Sequence, residues 1–105
     1  MNEAEDCGRE GLACIDQALA ARPKKDGHVL TQATAALCLY REELIARGRR
    51  GGAEDRRRLE HCNAVLSIVA AVHFPLGNAP WEELERARGW LSELLEASER
   101  TASPS

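Results

Sequence analysis

Three of the four cysteines, Cys14, Cys38 and Cys62, fall near the middle of segments with helical composition. In a helical bundle they would lie at similar heights, where thiolates could bind a metal or undergo redox chemistry, and His61 adjoins Cys62. Steps of about 100° per residue place Cys62 on a core stripe, Cys14 at a stripe's edge, and Cys38 more than about 100° from the stripe centre. Structural zinc needs four converging ligands, usually at short spacings. We therefore predict free, mostly buried thiols and no cofactor, with a metal or thiol site as the alternative.

Two histidines, His28 and His73, fall at one end of the expected bundle, near Trp81 and Asn78. One interpretation is a small-ligand site, because polar side chains and an aromatic ring gather there. The other is helix capping, since His73 lies in the last turn of its helix, where a cation complements the dipole. No nucleophile, base and orienting residue occur in a recognisable order, so the chain is predicted not to be an enzyme.

Basic charge is concentrated in one short segment of a chain whose formal net charge is −3. The segment holds two acids and six arginines, namely Arg47, Arg49, Arg50, Arg56, Arg57 and Arg58. Arginines in a glycine-flanked turn could bind phosphates, which suggests an anion or nucleic-acid site. The pI near 5.6 and the absence of interleaved aromatic residues argue against nucleic acid. The alternative is that acidic residues near both chain ends neutralise the arginines within the molecule.

Some large apolar residues fall outside the predicted core stripes. Trp90 is nine residues from Trp81 and therefore half a turn out of phase with it, and Leu39 projects among polar residues. Ile68 belongs to an apolar arc that extends past half of its helix, so this helix is expected to be buried on two sides. These residues suggest a surface that a partner covers, a second copy of the chain being the simplest partner. The alternative is that Trp90 folds sideways over a neighbouring helix.

Helical segments must position all of these residues, because turn clusters separate four stretches of helical composition and β-branched residues are few. The predicted fold is all-α, an antiparallel up-down-up-down four-helix bundle with helices at about 3–21, 27–47, 54–73 and 80–97. The first helix is expected to be the weakest, because Gly8 and Gly11 lie within it. Asp26 is the predicted N-cap of the second helix, and a close approach to a neighbouring backbone is the expected compensation for the glycines.

Length and composition fit a single helical domain over residues 1–98 and a flexible tail over 99–105. The longest apolar stretch is too short to span a bilayer, and the acidic N-terminus is unlike a signal peptide, so we expect a cytoplasmic protein without membrane contact. A non-enzymatic interaction or assembly module, self-associating as a homodimer or binding another protein, is the predicted function. Anion or nucleic-acid binding and a small-ligand or metal site are the alternatives.

Overall fold

The described residues of the computed structural model form four helices and no strand. The structure describes the backbone of residues 3–22, 24–48 and 53–102 and the side chains of residues 6–22, 24–46 and 56–97. In chain order the helices are α1 (Glu3–Ala21), α2 (Gly27–Gly48), α3 (Ala53–His73) and α4 (Trp81–Ala102). The predicted all-α class is confirmed.

The helices form a ring in which each packs on two neighbours. α1 and α3 both pack on α2 and on α4, so α1 lies diagonally across from α3, and α2 from α4. Asp16 pairs with Arg88 and Arg22 with Glu85, so a later residue of α1 meets an earlier residue of α4. This order makes α1 and α4 antiparallel, and the arrangement matches the predicted four-helix bundle.

Local signals explain most helix boundaries. The Asp26 carboxylate accepts a hydrogen bond from the Val29 backbone amide at 3.2 Å, which confirms the predicted N-cap of α2. The C-terminal end of α4 differs from the prediction, because the helix continues to Ala102 rather than stopping near residue 97. Between residue 97 and Pro104 the sequence contains no glycine or proline that would interrupt the helix. Residues 103–105 lie outside the described residues.

The core is aliphatic and uses all four helices. Its largest fully buried side chains include Tyr40, Ile15, Leu37, Leu84 and Leu91. α2 contributes the most buried residues among the described side chains: Val29, Leu30, Ala33, Ala36, Leu37, Tyr40 and Leu44. None of the described helices is long and apolar enough to cross a membrane.

Both glycines of α1 are buried where side chains of other helices approach closely. A Cβ on Gly8 would lie 2.6 Å from Cδ2 of Leu95, and a Cβ on Gly11 would lie 2.8 Å from Cδ2 of Leu37. The missing side chains therefore make room for leucines of α4 and α2. The expected compensation is present, but side chains rather than a backbone supply it.

α3 is less buried than its apolar sequence suggested. Among its described residues only Cys62, Val65, Val69 and Val72 are buried. Leu59, Leu66 and Ile68 are half-buried and pack against the edge of the core. α3 does contact a helix on each of two sides, as expected, but the outer part of its apolar arc faces the surface rather than a core.

Candidate interaction surface

Trp90 and Ile68 lie on the two helices that border one groove of the bundle. Glu85 and Arg88 mark the side of α4 that meets α1, because their side chains form hydrogen bonds with α1. Trp90 lies about 170° around the helix from the midpoint of these two positions. Trp90 therefore faces away from α1 and towards α3, the other neighbour of α4. It is 38% exposed, so the sideways folding considered above covers only part of its indole ring.

Ile68 faces the same groove from the α3 side. Cys62 and Asn63 mark the side of α3 that meets α2, because their side chains bond to Leu37 and Arg41 respectively. Ile68 lies about 140° around the helix from Asn63 and therefore faces away from α2. It also packs against the core cluster, so only its outer part is available to a partner.

Leu39 occupies a different surface from Trp90. It is 55% exposed on α2, the helix diagonal to α4, and both side chains point outward. The structure therefore does not bring Leu39 together with Trp90 and Ile68. A single flat contact with a partner can cover one of these surfaces but not both.

Charged residues flank Trp90 and Ile68 along the groove. Arg57 precedes Ile68 by eleven residues, and Glu83 precedes Trp90 by seven, so each charge lies on the same side of its helix as its apolar partner. Both charged side chains are exposed. Arg57 lies near the start of α3 and Glu83 near the start of α4, which are opposite ends of an antiparallel pair. We call the surface formed by these four residues the Trp90 face.

The arginine segment is only partly described. Arg56 and Arg57 are exposed and Arg58 is half-buried, all in the first two turns of α3. Arg47 is described only as backbone in the last turn of α2, and Arg49 and Arg50 lie outside the described residues. The predicted neutralisation of the arginines by acidic residues near the chain ends also involves mostly residues whose side chains lie outside the described ones.

At the end of the bundle that carries the histidines, Lys25 caps α3. Its ammonium donates a 2.6 Å hydrogen bond to the His73 carbonyl, and thus provides the cation at the C-terminal end of α3. The His73 ring packs edge-on against Phe74 at 4.2 Å, and His28 is exposed. Nδ1 of His73 is buried and makes no hydrogen bond with the described residues. Trp81 packs against the core edge, so the predicted difference between the two tryptophans is confirmed.

Sequence reasoning missed two exposed apolar side chains at this end. Phe74 is 74% exposed, and Leu76 is fully exposed in the segment between α3 and α4. The available signal was the position of large apolar residues in a segment that contains Pro75 and Pro80, where no helix face can bury them.

Two of the four thiols lie on the neighbouring helices α2 and α3, and the other two, Cys7 and Cys14, lie on α1. Cys62 is buried on α3 and its thiol lies 3.8 Å from the Leu37 carbonyl, one residue before the exposed Cys38 of α2. Burial raises the pKa of the Cys62 thiol to about 11, although nearby Arg41 acts in the opposite direction. Cys14 is buried on α1, diagonally across from α3. Within the described residues no three His, Cys, Asp or Glu side chains are grouped closely enough to hold a metal.

No family model matches the chain, and the searches of curated proteins and of solved structures find no match either.

Proposed function

We propose that the protein is a non-enzymatic assembly module that forms a two-fold dimer through the Trp90 face. The observation that carries this proposal is the exposed Trp90 and the half-buried Ile68 on the two helices that border the α3–α4 groove. Tryptophan is enriched among the residues that dominate binding energy at protein interfaces. An indole ring exposed on an otherwise charged helix surface is stabilised when a partner removes it from water.

Charge complementarity favours a second copy as the partner. A two-fold axis near Trp90 that lies in the plane of the interface and runs across α3 and α4 would place the two faces against each other. It would also reverse the long direction of the groove in the partner. Arg57 of one copy would then lie towards Glu83 of the other, and the same pair would recur on the opposite side of the axis. A self-complementary surface of this kind needs no second protein.

The available area is sufficient for a stable dimer. The molecule measures 43 × 22 × 19 Å, so one long side covers about 800 Å². Stable interfaces bury roughly 800 Å² on each partner. A dimer of ordinary size would therefore use most of this side of the molecule.

Sedimentation equilibrium over a wide concentration range tests the proposal. The wild type should approach twice the chain mass of 11.5 kDa. Trp90→Ala should weaken the dimer about tenfold or more, because the central apolar contact is removed. Leu39→Ala is the matched control, since it removes an exposed apolar side chain from the diagonal helix, and it should leave the dimer intact.

A charge exchange tests the orientation of the two copies. Arg57→Glu alone and Glu83→Arg alone should each weaken the dimer, because each places like charges opposite one another. The double variant should recover most of the lost affinity. A wild type that stays at the monomer mass at every concentration, or equal effects of Trp90→Ala and Leu39→Ala, would refute the proposal.

A further inference from the structure

The Cys62 thiol of α3 lies close to the α2 backbone next to Cys38. The Cys62 thiol approaches the Leu37 carbonyl oxygen at 3.8 Å, and the carbon of that carbonyl is bonded to the Cys38 amide nitrogen. By standard peptide dimensions, the Cys62 sulfur is therefore no more than about 7 Å from the Cys38 Cα. A disulfide requires the two Cα atoms to lie about 4.4–6.8 Å apart, so the side chains and the two helices must adjust before these sulfurs can bond.

The two thiols differ in access to solvent. Cys38 is exposed, whereas Cys62 is fully buried and Arg41 lies close enough to influence its ionisation. An oxidant in solution therefore reaches Cys38 first. Exposed side chains change rotamer on the picosecond to nanosecond timescale, so the Cys38 sulfur can turn towards α3.

We propose that Cys38 and Cys62 form an oxidisable pair, in which a peroxide oxidises Cys38 and Cys62 then completes a disulfide between α2 and α3. In the first step the Cys38 thiolate attacks a peroxide oxygen and the O–O bond breaks. With hydrogen peroxide, Cys38 becomes a sulfenic acid and the leaving hydroxide takes a proton to form water. In the second step the Cys62 sulfur attacks the Cys38 sulfur, the S–O bond breaks, and the Cys62 proton leaves with the hydroxide as water. The two sulfurs together lose the two electrons that the peroxide gains.

Cys14 provides the contrast within the same chain. It is also a buried thiol near the middle of its helix, but α1 lies diagonally across from α3. The side of α2 that carries Cys38 is the side that meets α3, as the Arg41–Asn63 hydrogen bond shows. Cys14 should therefore stay reduced when the pair is oxidised.

Mapping of the disulfide in the full chain tests the proposal directly. The reduced protein is treated with a small excess of hydrogen peroxide, denatured with an alkylating agent, and digested with trypsin without reductant. Cleavage after lysine and arginine places Cys38 in peptide 26–41 and Cys62 in peptide 59–86, with Cys14 in a third peptide. The expected result is a reducible 26–41/59–86 conjugate in a single chain, and the loss of two of the four thiols.

Two variants complete the test. Cys14→Ser should still form the conjugate. Cys38→Ser, which changes an exposed residue and should fold normally by circular dichroism, should leave Cys62 reduced at the same peroxide dose. Conversion of Cys38 to sulfinic acid or to an intermolecular disulfide, with Cys62 still alkylated after denaturation, would overturn the proposal. The wild-type mapping does not depend on any variant or on dimer formation through the Trp90 face.

Discussion

α1 and α3, which lie diagonally across the bundle from each other, bury their apolar residues in different ways. α1 has a thin apolar stripe and two glycines, yet Gly8 and Gly11 are buried where Leu95 and Leu37 pack most closely. α3 has a broad apolar arc, yet several of its large apolar side chains are only half-buried. Close approach, which small residues permit, can therefore bury a helix as effectively as a high content of apolar side chains.

The largest expected difference between the two regions concerns leucine truncation. Leu37→Ala should lower the free energy of unfolding by about 2–5 kcal/mol, because Leu37 is fully buried and fills the space above Gly11. Leu66→Ala on α3 should cost only about 1 kcal/mol, since its side chain is half-buried. Urea denaturation of both variants measures the difference. Equal losses would mean that α3 is packed as tightly as the α1–α2 contact.

A smaller effect is expected from alanine at the glycines. Gly11→Ala would place a Cβ 2.8 Å from Cδ2 and 2.9 Å from Cγ of Leu37, so the leucine must move. The strain should exceed the gain in helix propensity and leave a net loss of about 1–2 kcal/mol.

Gly89→Ala is the matched control for that prediction. Gly89 lies within α4, and apart from its chain neighbours and its own helix backbone no atom comes within 4 Å of the added Cβ. The substitution should stabilise the protein by about 0.5–1 kcal/mol. Thermal denaturation gives the sign of both changes. A stabilising Gly11→Ala would show that α1 does not depend on close approach.

The smallest expected effect on stability appears only at alkaline pH. It tests how tightly α3 packs on α2. Burial raises the pKa of Cys62 from 9.0 to about 11, so the unfolded chain loses this proton at a lower pH than the folded protein. The contribution of Cys62 is therefore fully present below pH 9 and is lost as the pH rises towards 11. The free energy of unfolding should fall more steeply over this range in the wild type than in Cys62→Ala.

Cys38→Ala is the control for the alkaline measurement. This exposed thiol lies beside Cys62, and its removal should leave most of the wild-type pH dependence in place. If Cys62→Ala and the wild type had parallel stability curves between pH 9 and 11, the Cys62 thiol would have to be accessible to solvent in the folded protein.

Helical periodicity and turn residues were sufficient to predict the fold and the N-cap at Asp26, but they did not show which side of α3 is buried. The phase of a residue on its helix also predicted the exposure of Leu39 and Trp90, because phase depends only on position along the chain. The thiols were expected to be mostly buried, and the exposed Cys38 differs from that expectation. Periodicity does not define which helices are neighbours, so the separation of Leu39 from Trp90 required the structure. The same holds for the Cys62–Leu37 contact and for Lys25 at the end of α3, since each joins residues far apart in the sequence.

The diagonal placement of Leu39 and Trp90 bears on polymerisation. A dimer closed at Trp90 would carry two outward-facing copies of Leu39, one on each side of the assembly. If that second surface also became adhesive, successive dimers would join into an open fibre rather than a closed particle. Glu42 and Glu43 follow Leu39 by three and four residues and are exposed on the same side of α2. Their like charges would oppose such growth.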